Sequence, residues 1–178
     1  MPGVGKTTLL ERLSSDLGIG YITKDSIKEL LGDTLYTVGE PTSPHFYGVA
    51  SVEALFTIVE AFVSSDKTIF VENAFWNDLA TARINRVIAD KDVDLLQVYI
   101  SCDYDETRRR FQRRREKGVR HKIHQDNTYS HRDFEENKQK YRQLDIRDMK
   151  TYCVDTTKFE ETDYQKLSAW LKLEAGGI

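Results

Sequence analysis

Met1-Pro2-Gly3-Val4-Gly5-Lys6-Thr7-Thr8 is the stretch whose reading decides the fold. It carries the back half of the phosphate-binding pattern G-x-x-x-x-G-K-[ST], with Gly5, Lys6 and Thr7 supplying G-K-T. Counting back from Gly5, the first glycine of that pattern would stand immediately ahead of Met1. Gly3 and Gly5 let the backbone approach phosphate oxygens in conformations closed to residues with a Cβ. Consecutive N–H groups then form an anion-binding nest, completed by the positive end of the following helix. In such a loop Lys6 reaches the β- and γ-phosphates and the Thr7 hydroxyl ligates Mg²⁺. The alternative is a helix whose leading residues merely contain G-K-T.

Working outward, Leu9, Leu10, Leu13 and Leu17 recur at helical spacing up to Gly18 and predict a helix directly behind the loop. A short strand over Ile19 to Thr23 leads into a second helix ending near Leu31, with Ser26 and Glu29 read as its capping box. Asp25 stands at that junction. It either favours the helix N-terminus through the dipole or, at the C-terminal edge of a parallel strand, orients a substrate hydroxyl. Residues 33–47 read as a loop, either a connector or a wall of an acceptor pocket, before a helix over Val49 to Val63. Ile69-Phe70-Val71 reads as a buried strand ending in Glu72-Asn73, and a carboxylate there suits a water on Mg²⁺ or an acceptor.

Downstream, the pattern predicts a helix over Asp78 to Ile88, a strand over Leu95 to Ile100, and a helix from Glu106 to Lys117 ended by Gly118. A helix over Arg132 to Leu144, a strand over Thr151 to Val154 and a last helix over Thr162 to Leu173 follow. Between Arg108 and Lys122 the sole acidic residue is Glu116, although the chain has a net charge of −3. Such a cluster repels itself unless anions occupy it, and it otherwise reads as a solvated face or a nucleic-acid patch. Arg110 and Arg114 are four apart, so they share a helix face and can grip one polyphosphate. His121 and His124 lack the further ligands that a zinc site needs, so phosphate or acceptor contact, or solvent, is expected for them. The Asp155-Thr156-Thr157 turn is either a base contact or ordinary turn chemistry.

Composition fits a globular domain over 1–178: charged residues are 31% and hydrophobic ones 39%, outside the disordered range. No uninterrupted apolar run nears the ~20 residues of a membrane span, and Lys6, Glu11 and Arg12 break any leader pattern. Cys102 and Cys153 are expected as buried free thiols, which fits a cytoplasmic protein.

Taken together, the loop, Ile22-Thr23-Lys24-Asp25, Val71-Glu72-Asn73, and Val98 to Arg114 with its R-F-Q-R-R resemble P-loop kinases of the nucleoside-monophosphate-kinase type. More narrowly, the chain is similar to small AAA-family ATPases regarded as kinases, whose lid carries R-H-x-x-H-x-D, here Arg120, His121, His124 and Asp126. The resemblance implies a three-layer α/β fold around a parallel sheet of order 2-3-1-4-5, with a lid at about 115–131. It implies ATP and Mg²⁺ as cofactors, held by Gly3, Val4, Gly5, Lys6, Thr7 and Thr8. Arg110 would stack on adenine, and Arg114 would reach the ATP phosphates. Arg114 and the lid's Arg120 would close on the transferring group. Asp25 would contact the acceptor hydroxyl, while Glu72 would place Mg²⁺ water or acceptor.

Family loops often read G-M-P-G-V-G-K-T, so Met1 is expected to be an internal loop residue, with the first central strand lying upstream. The expected activity is γ-phosphoryl transfer from ATP to a hydroxyl or phosphate of a small molecule. The rivals are a polynucleotide 5′-hydroxyl kinase and a nucleotide-binding regulatory ATPase without acceptor chemistry. Membrane association is not expected.

Overall fold

Leu9, Leu10 and Leu13 form the buried stripe of α1 (Lys6–Leu17), and Gly18 ends that helix in the left-handed conformation that it tolerates. The computed structural model describes residues 1, 3–39, 43–65, 67–118, 121–124 and 130–176. After α1 come β1 (Tyr21–Thr23), α2 (Lys24–Thr37), α3 (Pro44–Val63), β2 (Phe70–Glu72) and α4 (Asn77–Val87). Then follow β3 (Leu96–Ser101), α5 (Tyr104–Glu116), α6 (His131–Lys140), β4 (Lys150–Asp155) and α7 (Glu161–Glu174). This is the α/β architecture expected from alternating strands and helices, and its paired strands are parallel.

Two boundaries differ from expectation. The α2 helix continues through Gly32 to Thr37, and α3 starts at Pro44 behind Ser43, whose hydroxyl accepts from the Phe46 N–H. The expected loop over 33–47 is therefore helical at both of its ends. A single glycine costs a helix only about 1 kcal/mol, and proline is well suited to the first helical position. Gly32 suits the packing here, since a Cβ at this position would clash with Ile123 Cδ1. The cap of α2 also differs, since Thr23 accepts from the Ser26 N–H. Ser26 itself donates to the Thr23 carbonyl.

The strands form two pairs. Tyr21–Thr23 lies in register against Phe70–Glu72, and Leu96–Ser101 against Lys150–Asp155. Between the pairs lies a cavity of about 410 Å³, lined by Phe70 and Val71 on one side and Val98 and Ile100 on the other. Among the described residues no strand occupies it. A dry void of that size would cost on the order of 10 kcal/mol at ~24 cal/mol per Å³, comparable with the stability of a whole domain. The space must therefore admit solvent or chain.

Met1 also lines this cavity and is buried. The main core lies to one side of the cavity, where Leu9 and Leu13 of α1 meet Val154 of β4 and Tyr164, Leu167 and Leu171 of α7.

Two further expectations need correction. Cys102 is buried but Cys153 is exposed, because its side of β4 is not covered; both are free thiols. The α3 helix has 20 residues and is apolar enough to cross a membrane by length and composition, although no bare run of sequence showed it. In this fold Leu55 and Phe56 of α3 are core residues, and its Glu53 pairs with Arg83 of α4.

Candidate active site

The loop before α1 has the backbone that its glycines permit. Gly3 and Gly5 have φ of 82° and 88°, in the left-handed region, and Gly5 is the N-cap of α1. Gly3 also faces α5 closely: a Cβ there would stand 2.9 Å from Thr107 Cγ2 and 3.7 Å from Arg114 Nη2. At Gly5 the nearest group would be Arg110 Nη1, at 3.6 Å. Both predicted arginines therefore lie beside the loop. Val4 is fully buried, and its carbonyl accepts from the Thr156 hydroxyl at 2.8 Å.

Glu72, the last residue of β2, joins the loop side chains. Its Oε1 is 3.5 Å from Lys6 Nζ, and its Oε2 accepts from the Thr7 hydroxyl at 3.2 Å. Lys6 also donates to the Met1 carbonyl at 2.7 Å. The lysine is thus held back along the loop by a carboxylate and a carbonyl. Thr7 and Glu72 together offer hard oxygen donors beside a phosphate nest. That set fits Mg²⁺, which binds through one or two protein oxygens, substrate phosphates and waters. Thr8, the next residue of α1, is exposed.

On α5, Arg110 is fixed at three points. Its Nε donates to Glu106 at 2.7 Å, while Nη1 and Nη2 donate to the hydroxyl and carbonyl of Thr156 at 3.1 and 2.5 Å. Glu106 also binds Arg109, and these two guanidinium partners pull its carboxyl down to about 2. Sequence reading missed Glu106 and gave Thr156 only an uncertain role. Glu106 could have been found from its position four residues before Arg110. Thr156 could not, because its partners Val4, Ser101 and Arg110 are all distant in sequence. The Asp155-Thr156-Thr157 turn thus clasps the loop to α5. Thr157 accepts from the Asp103 N–H at 2.9 Å, which extends the clasp to the start of that helix.

Asp25 lies in the first turn of α2 and faces a second cavity, of about 380 Å³. Lys6, Glu72, Asn73, Lys24, Lys28 and His45 are among the residues lining it. Partial burial pushes the Asp25 carboxyl up. Lys24 at 3.2 Å, His124 and Lys6 together outweigh that and hold it below the ordinary carboxylate value. It is therefore ionised at neutral pH and suited to accept a hydrogen bond from a hydroxyl.

His121 is partly exposed and His124 nearly buried, and each meets a carboxylate of α2. They pair with Asp33 at 3.1 Å and Glu29 at 2.8 Å, which lie one turn apart on α2. The His124 ring also lines the second cavity. Arg120 and Asp126 lie outside the described residues.

The fold recurs in solved structures. A protein from Chloroflexus aurantiacus J-10-fl, named a "putative kinase", superposes with a TM-score of 0.83 at 24% identity, covering 97% of this chain and 93% of that one. An unliganded sugar kinase from Janibacter sp. HTCC2649 superposes with a TM-score of 0.59 at 13% identity, covering 96% and 89%. At these identities the likeness is one of fold. No curated protein sequence matches the chain. The model of the AAA domain family matches residues 1–144, a span that holds the loop, Asp25, Glu72 and the α5 arginines. The chain therefore belongs to the AAA domain family.

Proposed function

We propose that this protein is an ATP-dependent kinase that transfers the γ-phosphoryl group to a hydroxyl of a small molecule. One observation carries the reading: Lys6 of the phosphate loop and Asp25 at the edge of β1 line the same cavity. A γ-phosphate on Lys6 and a hydroxyl on Asp25 would share one cavity, and proximity of that kind is the main contribution a kinase makes. The kinase names of both structural neighbours agree with it.

In the proposed reaction the acceptor oxygen attacks the γ-phosphorus, and the bond from that phosphorus to the β-bridging oxygen breaks. Asp25 accepts a hydrogen bond from the attacking hydroxyl, aims its lone pair and takes up its proton as the new P–O bond forms. Lys6 leaves Glu72 for the β- and γ-phosphates and offsets charge on the leaving ADP. Arg110, locked by Glu106 and Thr156, faces the nucleotide side of the loop, and Arg114 stands over Gly3 to meet the phosphates. Arg120 keeps its proposed role of adding charge from the lid. Thr7 and Glu72 are the residues that would hold Mg²⁺, which when bound would supply charge neutralisation for the transfer.

The test is Lys6→Ala, read as transfer from γ-labelled ATP into a small-molecule pool. Transfer should fall by at least ~10²-fold, the scale of losing a transition-state charge contact, while the melting temperature stays near that of the unsubstituted chain. Undiminished transfer by this variant would refute the assignment. Labelling of an oligonucleotide 5′ end, weakening steeply with salt, would instead select the polynucleotide reading. ATP binding with no acceptor labelled would select a regulatory ATPase.

A further inference from the structure

Asp25, Glu29, Asp33 and Tyr36 follow one another at helical spacing and share one face of α2. The segment 121–124 lies along that face, against the direction of the helix. Lys122 stands 4.3 Å from the centre of the Tyr36 ring and 3.7 Å from Asp33, which also meets His121. Ile123 packs against Gly32, and His124 reaches Glu29 at 2.8 Å. The segment therefore runs toward Asp25, with His124 at the Asp25 end.

The two ring nitrogens of His124 are used differently. Nε2 is taken by Glu29, and a carboxylate accepts only, so the hydrogen of that contact sits on Nε2. Among the described residues Nδ1 has no partner. The side chain is 7% exposed, yet it lines the cavity that also holds Asp25 and Lys6. From this placement we infer that His124 is an acceptor-binding residue and that the acceptor is a polyol. One hydroxyl meets Asp25 and is phosphorylated, and the hydroxyl on the adjacent carbon is held by His124 Nδ1. Glu29 is the positioning residue that fixes the ring. The inference rests on the kinase reading and adds a specificity-determining residue and the class of substrate.

Spacing on α2 sets how far apart the two hydroxyls lie. Asp25 and Glu29 are one turn apart on a helix, so their Cβ atoms are ~5–6 Å apart, and the ring bonded to Glu29 stays within reach of Asp25. His124 indeed acts electrostatically on the Asp25 carboxyl. Groups this close are bridged by hydroxyls on adjacent carbons. A hydroxyl also suits Nδ1 in either state of the ring, because it donates to the neutral ring and accepts from the charged one. An acceptor without that second hydroxyl would strip Nδ1 of water and leave it unpaired, the kind of difference by which a site rejects an analogue.

The experiment does not need the acceptor's name. A small-molecule extract is incubated with the full chain and γ-labelled ATP, before and after treatment with periodate, which is quenched ahead of the ATP. Periodate cleaves the bond between carbons that bear adjacent hydroxyls, so labelling is expected to disappear. Two variants then separate contact from tethering. In His124→Gln the side-chain amide stands where Nε2 was, which keeps the Glu29 contact and removes the group at Nδ1. In His124→Asn the amide stands where Nδ1 was and the Glu29 contact is lost. His124→Gln should raise the half-saturating concentration of the extract about tenfold with the nucleotide Kd unchanged, and His124→Asn should recover most of that loss. Undiminished labelling after periodate overturns the inference and leaves the kinase reading standing. So does a His124→Gln variant that saturates like the unsubstituted chain, because the ring would then serve to tie its segment to α2 and nothing more. If ATP binds and the untreated extract takes up no label, the kinase reading itself fails and takes this inference with it.

Discussion

The two strand pairs are built to different standards of rigidity. The β3–β4 pair is six residues long on each strand and continues into the clasp of Thr156, Val4, Arg110 and Glu106. The β1–β2 pair is three residues long on each strand, and beyond it α2 is tied to the 121–124 segment by two histidine–carboxylate contacts. On the first side, where the proposed function puts the nucleotide, a guanidinium is held by three bonds before any ligand arrives. The other side is a charged cavity whose shape depends on short strands and partly exposed pairs. Preorganisation is worth most where the ligand is invariant, and adaptability where acceptors differ among related proteins.

The largest effect should come at the seam between the pairs. Joining an apolar extended segment ahead of Met1 should raise stability by several kcal/mol, read in urea melts, because it fills the 410 Å³ cavity that Phe70, Val71, Val98 and Ile100 line. An unchanged midpoint would show that the two pairs do not depend on what lies between them.

Next in size is Asp25→Asn, aimed at the acceptor side alone. Turnover should drop by roughly 10²-fold, the low end of general acid–base effects, with the nucleotide Kd unchanged. In the unsubstituted chain turnover should be lost in acid only below the ordinary carboxylate pKa, because the surrounding cations hold Asp25 lower than that. An acid limb near neutrality would exclude Asp25 as the titrating group.

Arg110→Met makes the opposite cut. Nucleotide Kd should rise about tenfold for loss of one charged contact, while acceptor saturation stays put. Equal changes in both would mean that the two sides are not separable in the way the proposed function requires. Smallest is Glu29→Gln, which removes the carboxylate from His124. A partly exposed pair is worth ~0.2–1 kcal/mol, so the melting temperature should fall by a few degrees at most. A larger fall would show that the acceptor side is as tightly built as the nucleotide side.

Much of this was legible residue by residue. Gly3 and Gly5 announce a left-handed loop because few other residues take that backbone, and leucines at helical spacing place α1 behind it. Asp25 and Glu72 were visible as carboxylates at strand ends, and Arg110 and Arg114 as partners on one helix face. The extent of α2 was hidden, because Gly32 reads as a breaker until Ile123 is seen packed against it. The histidines were hidden too: Glu29 and Asp33 lie on α2, far away in sequence, and only folding brings them within reach.

The sequence by itself therefore determined what is local. It placed the loop chemistry, the helix behind it, the parallel α/β class and the residue types able to meet phosphate. Those follow from backbone conformation and short-range periodicity, which act within a few residues. Only the tertiary structure decided that Glu72 grips both Lys6 and Thr7, that Thr156 locks Val4 to Arg110, and that lysines of α2 ring the cavity containing Asp25. Contacts between segments this far apart depend on how whole elements pack, and no window of sequence encodes that packing on its own.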